Sequence, residues 1–342
     1  MIDRVRGLAG FLVVLSGLLF ASVLVAQPPA EAVRLASEAF GERLEIEVRD
    51  LPRDRAEDAI RAAITEIHEI EVLTRPDGAA TDGLGALNRA PAETAVVIDR
   101  RLLALLSRAV DFCVWSQGAH GPLGGQLYDL WGLHRPVTSH PQPRDLARGS
   151  ASAHCDRILL DAKAGTAELA QGTRADLWGF AEGYAVDRAV AVLEDRGATN
   201  LWVEVGRIDR AVGDGPAGRG WRVTLPVVEG FTQPLDEVWL HDRALVMANV
   251  DDRRLDIAGD SYPPFIDQRS GEPAGGIQAT FASTELALDS QGVATAMLIT
   301  GNRLGTSLLG ALRPLPSVLW MIGDGSGAPL LAAYQWSKLK TR

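Results

Sequence analysis

The chain has 342 residues, of which 46% are hydrophobic and 23% are charged, a composition typical of folded globular proteins. This composition excludes intrinsic disorder as the main state, and the length predicts one large domain or two modest ones. The net charge is −10, with 34 basic and 44 acidic residues and no basic run of five or more, so we expect no nucleic-acid partner.

The beginning of the chain has the pattern of an export segment. Arg4 and Arg6 precede an apolar run over residues 7–26, which ends at Ala26. A positive start, an apolar core and a small residue at the exit predict a secretory signal peptide over residues 1–26. The run is also just long enough to span a bilayer, so an uncleaved N-terminal membrane anchor is the alternative, and a buried core helix is the third interpretation. Both export interpretations place residues 27–342 in the periplasm, either free or tethered to the inner membrane.

The chain has two cysteines, Cys113 and Cys155. Two are too few for a disulfide-dense scaffold or a zinc site of the CxxC type. Export to an oxidising compartment allows a disulfide between them. Cys113 lies on the apolar face of a predicted helix, where a free buried thiol is the more common outcome. The sequence therefore leaves the pairing open.

Apolar residues at three-to-four spacing predict helices in the first half of the body. The first runs from Pro52 to Leu73 and the second from Asp99 to Gln117. A glycine-rich loop over 118–132 and a proline-containing surface excursion over 134–153 follow. A third helix is predicted from Asp176 to Arg196, because a glycine stands at the C-cap position after it.

Strands dominate the second half. Alternating apolar and polar residues over 201–205 predict a half-buried strand, and Gly213–Pro216 predicts a hairpin into the strand at 221–225. A helix is expected at about 290–301, and further strands are expected at 237–240, 244–248, 277–282, 317–322 and 329–336. Helices in mixed order with strands predict an α+β fold of mixed, mostly antiparallel sheets with packed helices, in which residues 27–342 form one domain.

Four segments combine glycine with polar side chains in patterns that suit a ligand. The loop 118–132 permits close backbone approach, although a surface turn has the same pattern. The segment 176–187 opens a helix with glycines, which suits an anionic group but equally suits close packing on a sheet. The segment 262–273 contains a tight turn that holds a ligand edge or forms a structural Asx turn. Gln291 and Thr295 present two oxygen-bearing side chains on one helical face, without the carboxylate that magnesium usually recruits.

Several common catalytic motifs are absent from the sequence. None of the six histidines has HxxxH or HExxH spacing, which removes support for a zinc hydrolase. No GxSxG or Walker A motif occurs, which removes common hydrolase and nucleotidase functions.

Five segments match the pattern of one family in order and spacing. The pattern S-x-G-A-F-D-P-T-V-G-P-L, followed by L-W-G-F, is matched at Ser116, Gly118, Ala119, Pro122, Gly125, Leu127, Leu130, Trp131 and Gly132. The pattern D-L-G-G-I-A-K-G-Y-A-V-D is matched at Asp176, Leu177, Gly179, Ala181, Gly183, Tyr184, Ala185, Val186 and Asp187. Later patterns are matched at Asn200, Val203, Gly206, Arg210, Ala211, Gly213, Ile266, Asp267, Arg269, Ser270, Gly271, Pro273, Ala294, Thr295 and Ala296. In these segments the chain resembles the bacterial FAD:protein FMN transferases, the ApbE family, from about Phe40 to the C-terminus.

The resemblance implies an exported, magnesium-dependent enzyme that binds FAD and transfers its FMN half to a Ser or Thr of a partner protein, with release of AMP. The acceptor that it implies is a flavoprotein subunit of a membrane redox complex. It implies catalytic positions at Asp267 and Arg269, and metal ligands at Gly179, Gln291 and Thr295. The cofactor-binding positions that it implies are Gly118, Ala119, Asp176, Gly179, Ala181, Gly183, Tyr184, Ser270 and Gly271.

Several polar positions of the family pattern are changed in this chain. The family lysine is Glu182, the acidic metal ligand is Gln291, and the histidine before the Ile-Asp turn is Pro264. A small glycine is replaced by Trp178, and the Asp and Thr of the first loop are Gly121 and Leu123. Because Gln291 carries no negative charge, we expect magnesium binding to be weak.

These departures leave three hypotheses. The first is an active FMN transferase with an altered metal site, in which Asp289 or Asp267 supplies the lost charge. The second is a catalytically degenerate flavin-binding or assembly protein for a membrane redox complex on the same fold. The third is a structural periplasmic protein without flavin.

Overall fold

A computed structural model describes residues 32–226, 234–323 and 328–340. The predicted signal peptide or anchor over residues 1–26 lies outside the described residues. Within the described ranges, no helix has the length and apolar character needed to cross a membrane.

Helices and strands alternate along the described chain in mixed order. The helices are α1 (Arg53–Thr74), α2 (Leu84–Arg89), α3 (Arg100–Trp115), α4 (Gly125–Leu130), α5 (Pro143–Ser152), α6 (Ala181–Asp195) and α7 (Ala287–Leu309), and a 3₁₀ turn spans Trp336–Leu339. The strands are β1 (Val33–Ala39), β2 (Glu42–Val48), β3 (Val96–Val97), β4 (Ile158–Asp161), β5 (Thr166–Leu169), β6 (Leu201–Val205), β7 (Ile208–Val212), β8 (Trp221–Thr224), β9 (Glu237–Leu240), β10 (Arg243–Asn249), β11 (Leu255–Ile257), β12 (Asp260–Tyr262), β13 (Ile277–Ser283), β14 (Ser317–Ile322) and β15 (Leu330–Tyr334).

One eight-stranded sheet organises the fold, in the order β1-β2-β6-β7-β10-β13-β14-β15. Its neighbouring strands are all antiparallel. Side chains alternate between the two faces, so Val246 and Ala248 of β10 face a core shared with α1, α6 and α7, while Leu245 and Met247 face a second core. The β8–β9 hairpin and the terminal 3₁₀ turn cover that second core. The predicted α+β class with mostly antiparallel sheets is confirmed.

Sequence patterns predicted four of the seven helices and seven of the fifteen strands of the described chain, and three predictions are wrong. The loop 118–132 contains α4, whose apolar side chains Leu127 and Tyr128 are fully buried. The surface excursion 134–153 contains α5. The predicted hairpin at Gly213–Pro216 does not form, because β8 pairs with β9 while β7 pairs with β6 and β10.

Glycine conformation shifts the boundaries of two predicted helices. Residues 178–180 form a turn rather than part of the helix, since Gly179 has φ +82°, and α6 therefore begins at Ala181. The predicted helix 290–301 extends to Leu309, past a non-helical backbone at Gly301 with φ +71°. The glycine C-cap after α6 is confirmed, with Gly197 at φ +90°.

Cys113 and Cys155 form a disulfide that joins α3 to the segment after α5. The helical position of Cys113 favours a free thiol, and this expectation is therefore wrong. The disulfide also accounts for the glycine at position 121, where the family pattern has Asp. A Cβ atom on Gly121 would lie 2.5 Å from Cys113 Cβ and 2.7 Å from Cys113 Sγ.

Replacing both cysteines with alanine should lower the free energy of unfolding by about 2–4 kcal/mol, because the disulfide restricts the unfolded chain. Urea titration of the full-length chain in non-reducing buffer measures this difference. The wild-type chain in excess reductant is the matched control and should unfold at the midpoint of the C113A/C155A variant. Equal midpoints for the oxidised wild type and the variant would contradict the prediction.

Candidate functional site

A cleft of about 200 Å³ lies where the starts of α6 and α7 meet the turn between β6 and β7. The three predicted metal positions, Gly179, Gln291 and Thr295, all line it, and so do Trp178 and Glu182. Gly179 permits this convergence, because a Cβ atom there would lie 3.3 Å from Thr295 Oγ1 and 2.9 Å from the His120 ring. The structure thus brings together residues that are more than 100 positions apart in sequence.

The starts of α6 and α7 cap each other beneath this cleft. Gln291 of α7 accepts the Gly183 N–H of α6 at 2.8 Å. Asp187 of α6 accepts the Ala287 and Leu288 N–H groups of α7 at 2.8 and 2.9 Å. Burial raises the pKa of the Asp187 carboxyl to about 6. The two helices therefore supply each other with the acceptors that helix N-termini need.

Glu182 faces the cleft rather than bulk solvent. Gln291 Nε2 donates to Glu182 Oε2 at 2.8 Å, so one glutamine amide joins the carboxylate to the backbone of the same helix. Burial raises the pKa of the Glu182 carboxyl above its usual range, and the Gln291 hydrogen bond opposes this rise only in part. The cleft thus contains an acidic group that holds its proton more tightly than an exposed glutamate.

Helix N-termini attract anions through free N–H groups, and the start of α6 has few of them. The Ala181 N–H donates to the Leu177 carbonyl at 3.0 Å. The Gly183 N–H donates to Gln291, and the Tyr184 N–H donates to the Phe180 carbonyl at 3.1 Å. An anion at this turn must therefore displace acceptors that the chain already provides.

The predicted metal ligands lie together but do not fit magnesium. Gly179, Gln291 and Thr295 offer only neutral oxygens, and Gln291 Oε1 already accepts an N–H. Asp289, the proposed substitute, is held by Arg108 through two hydrogen bonds of 2.8 Å. Among the described residues, no group of three or more His, Cys, Asp and Glu side chains is arranged to hold a metal ion. Magnesium prefers at least one free carboxylate, which this donor set lacks.

His120 is a polar residue of this region that the sequence analysis missed. Its ring is fully buried and stacks on Phe180, with centroids 4.2 Å apart. Neither ring nitrogen has a hydrogen-bond partner in the described part of the chain. Burial lowers the pKa of His120 to about 3, so the ring is neutral at physiological pH. The available signal was its position in the first motif, where the family pattern has Phe, rather than spacing between histidines.

The predicted catalytic pair lies beside a different cleft. Asp267 accepts from Arg269 Nε at 2.8 Å and from Arg269 Nη2 at 2.6 Å. The predicted tight turn forms around it, with the Gly271 N–H donating to the Asp267 carbonyl at 2.7 Å. Arg269 and Gly118 line this second cleft of about 470 Å³ beside the disulfide, and it shares no lining residue with the Glu182 cleft.

The other predicted cofactor positions have structural surroundings. Ala119 is fully buried, and its carbonyl accepts the Gln268 N–H at 3.2 Å. Tyr184 packs against the main core, and burial raises the pKa of its hydroxyl. Six of the predicted cofactor positions line neither the Glu182 cleft nor the cleft beside the disulfide: Ala119, Ala181, Gly183, Tyr184, Ser270 and Gly271. Asp176 is buried, accepts the Trp178 N–H at 2.9 Å and lies 2.6 Å from His134 Nε2.

The His134–Asp176 contact should make stability depend on pH. The hydrogen bond to Asp176 raises the pKa of His134 above its usual value, so protonated His134 stabilises the fold. This contribution is complete below the unfolded pKa of about 6.5 and is lost as the pH rises through the higher folded pKa. The difference in unfolding free energy between wild type and His134→Asn should therefore be largest below about pH 6.5 and should shrink as the pH rises above that value.

Urea titrations at several pH values measure this difference. His154→Asn, at an exposed histidine, is the control and should show no matching trend. A His134 difference that stays constant across the pH range would contradict the prediction.

Solved structures share this fold. An ApbE protein from Thermotoga maritima is similar with a TM-score of 0.78 at 20% identity, covering 91% of this chain and 100% of that chain. The flavin transferase ApbE from Vibrio cholerae is similar with a TM-score of 0.77 at 19% identity, covering 91% and 99%. At these identities the likeness establishes the architecture: a mixed α+β fold of the ApbE type.

The sequence model of the ApbE family matches residues 40–319. The chain belongs to the ApbE family. Two similar proteins are named FAD:protein FMN transferase. The one from Treponema pallidum is 29% identical over 253 residues, covering 69% of this chain and 68% of that protein. The one from Rhodobacter capsulatus is 26% identical over 317 residues, covering 91% and 60%. The chain thus spans about two thirds or less of these relatives.

Proposed function

We propose that this chain is an FAD:protein FMN transferase, which moves FMN from FAD to a Ser or Thr of a partner redox protein and releases AMP. Family membership and the name of its relatives support the proposal. The observation that carries it is the meeting of Gly179, Gln291 and Thr295 in one cleft, since these positions come from separate family motifs. We further propose that the acceptor is a flavoprotein subunit of a membrane redox complex.

The proposed reaction is a phosphoryl transfer. The acceptor hydroxyl oxygen bonds to the FMN phosphorus of FAD, the bridging P–O bond breaks, and AMP leaves with the bond electrons. The hydroxyl proton passes to a base. Asp267, one of the two predicted catalytic residues, is already bound by Arg269, whereas Glu182 is a carboxyl that lines the cleft with a raised pKa. Magnesium has no assigned step, because the donor set does not fit it.

A specific observation favours the second candidate, a catalytically degenerate flavin-binding or assembly protein. Most of the N–H groups at the start of α6 are already bonded within the chain. Trp178 packs on Phe265 with ring centroids 5.1 Å apart and occupies part of the cleft wall. The remaining volume of about 200 Å³ is below the roughly 300–1,000 Å³ of common ligand pockets.

An active transferase and a catalytically degenerate protein should give different products in the same incubation. The full-length chain in detergent is mixed with FAD and with a membrane fraction that contains candidate acceptors. A transferase should produce a flavin-fluorescent protein band on a denaturing gel together with an equal amount of AMP. Thr295→Val should reduce both products, whereas Thr300→Val, on the same helix outside the cleft, should not. No band and no AMP from the wild type would overturn the transferase and favour the degenerate protein.

Glu182→Gln should tighten FAD binding at neutral pH. A pyrophosphate bound at the start of α6 would lie beside the Glu182 carboxylate, and a like charge about 4–6 Å away costs on the order of 1–4 kcal/mol. Removing that charge should improve the dissociation constant by roughly tenfold or more. Because the pKa of Glu182 is raised, wild-type affinity should approach that of the variant as the pH falls through this pKa.

Titration of flavin fluorescence compares the proteins across pH. Glu194→Gln, at the exposed far end of α6, is the matched control and should bind FAD as the wild type does. Adding Trp178→Gly to Glu182→Lys should improve affinity further by opening the cleft. Tight FAD binding by the wild type that Glu182→Gln does not change would place the pyrophosphate elsewhere.

We also propose that residues 1–26 export the rest of the chain to the periplasm. The apolar segment supports this, and so does the Cys113–Cys155 disulfide, because disulfides persist in oxidising compartments. Residues 1–40 fused to a reporter that is active only after export should give activity, while the same reporter without residues 1–26 should not. A silent fusion would contradict export, and the size of the fused product distinguishes a cleaved signal from a retained anchor.

A further inference from the structure

Two further clefts follow the sheet face under the β8–β9 hairpin, and the nearer one meets the Glu182 cleft at the turn between β6 and β7. A neighbouring cleft of about 320 Å³ shares Gly206, Arg207 and Met247 with the Glu182 cleft. A third cleft, of about 460 Å³, shares Trp202, Arg222 and Val223 with the second. We call these three clefts, each of which shares lining residues with the next, the hairpin groove. It begins where Gly179 and Thr295 meet and ends at the outer strands of the sheet.

The wall of the hairpin groove is a strand with one free edge. Consecutive residues 220–226, which include β8, line its second and third clefts. The Leu225 N–H donates to the Asp236 carbonyl at 2.9 Å, and this pair fixes the register of the hairpin. In an antiparallel pair the hydrogen-bonded positions alternate, so the N–H and C=O groups of Arg222 and Thr224 point away from β9. Among the described residues, no strand pairs with that edge.

The far end of the groove is basic and aromatic. Four arginines line the third cleft: Arg34, Arg49, Arg219 and Arg222. Arg34 and Arg49 are paired with Glu47, which also lines the cleft, and Arg222 lies 3.7 Å from Glu237. The unpaired positive charge of the cleft is therefore that of Arg219. The cleft also contains three tryptophans, Trp202, Trp221 and Trp239. The Arg219 guanidinium lies 3.9 Å from the centre of the Trp239 ring, and none of the described residues forms an ion pair with it. A positive surface over apolar rings is complementary to an acidic partner.

We propose that the hairpin groove docks an extended, acidic segment of the acceptor protein, which adds as a strand to the free edge of β8. This inference rests on the proposed function, since it names the surface by which the acceptor reaches the transfer site. Backbone hydrogen bonds to Arg222 and Thr224 supply affinity, and the arginines supply selection for acidic side chains. A strand advances about 3.3 Å per residue, so a short segment along the groove brings its next residues to the turn between β6 and β7, which also lines the Glu182 cleft.

The test uses fluorescence anisotropy with the full-length chain and two labelled peptides. One ten-residue peptide alternates Glu and Val around a central Thr, and the other has Lys in place of Glu. The wild type should bind the Glu peptide at least roughly tenfold more tightly than the Lys peptide, and Arg219→Glu with Arg222→Glu should remove this preference. Arg144→Glu with Arg148→Glu makes the same charge change on the exposed side chains of α5 and should leave the preference intact.

A second pair of variants tests strand addition. Thr224→Pro removes the outward N–H at the free edge and should weaken binding of the Glu peptide, whereas Thr224→Val keeps that N–H and should bind it as the wild type does. Equal binding of the two peptides, or no effect of the double arginine change, would overturn the proposal that the groove binds an acidic segment. Equal binding by Thr224→Pro and Thr224→Val would overturn strand addition.

FAD titration of the same wild-type preparation separates this inference from the proposed function. Selective binding of the Glu peptide without FAD binding supports the groove and counts against the transferase. FAD binding and transfer without selective peptide binding support the transferase and overturn the groove.

Discussion

The reciprocal capping of α6 and α7 is the constraint on which the candidate site depends. Gln291 and Asp187 each satisfy N–H groups of the opposite helix, so neither helix start can move without exposing the donors of the other. This contact requires the glycine at position 183, because a Cβ atom there would lie 2.7 Å from the Ala287 carbonyl oxygen. The cleft beside Gly179 and Thr295 is the space left above this contact.

The same contact joins two charged positions of the family pattern, 182 and 291, that are both changed in this chain. With Glu182, an acid at 291 would place two buried carboxylates within hydrogen-bond distance, and one of them would have to remain protonated. Glutamine at 291 removes this repulsion, donates to Glu182 and still accepts from Gly183. The pair therefore keeps the helix contact while losing the charge that a metal or a pyrophosphate uses.

Local patterns predicted the elements, and long-range contacts fixed the details of the site. The strands at 201–205, 237–240 and 317–322 were predictable with their exact bounds. Alternating apolar residues indicate a strand buried on one face, and a continuous apolar run indicates a strand buried on both faces. Helix α4 was hidden among glycines, since its six residues span too few turns to show a period. The Gln291–Glu182 hydrogen bond joins residues 109 positions apart, and no spacing rule reaches that far. The predicted site residues are divided between two separate clefts, and this division is likewise a result of tertiary packing.

Charge along the hairpin groove gives a direction to any segment that binds there. Its far end is lined by arginines, while its middle contains the cross-strand pair Glu204 and Asp209. Burial, together with the charge of Glu204, raises the pKa of Asp209 to about 7, so this carboxyl is partly protonated near neutral pH. Acidic side chains are thus favoured at the outer end and disfavoured near the middle. A segment with outer acids and an inner neutral hydroxyl residue is therefore favoured in the direction that places the hydroxyl at the end of the groove nearest the Glu182 cleft.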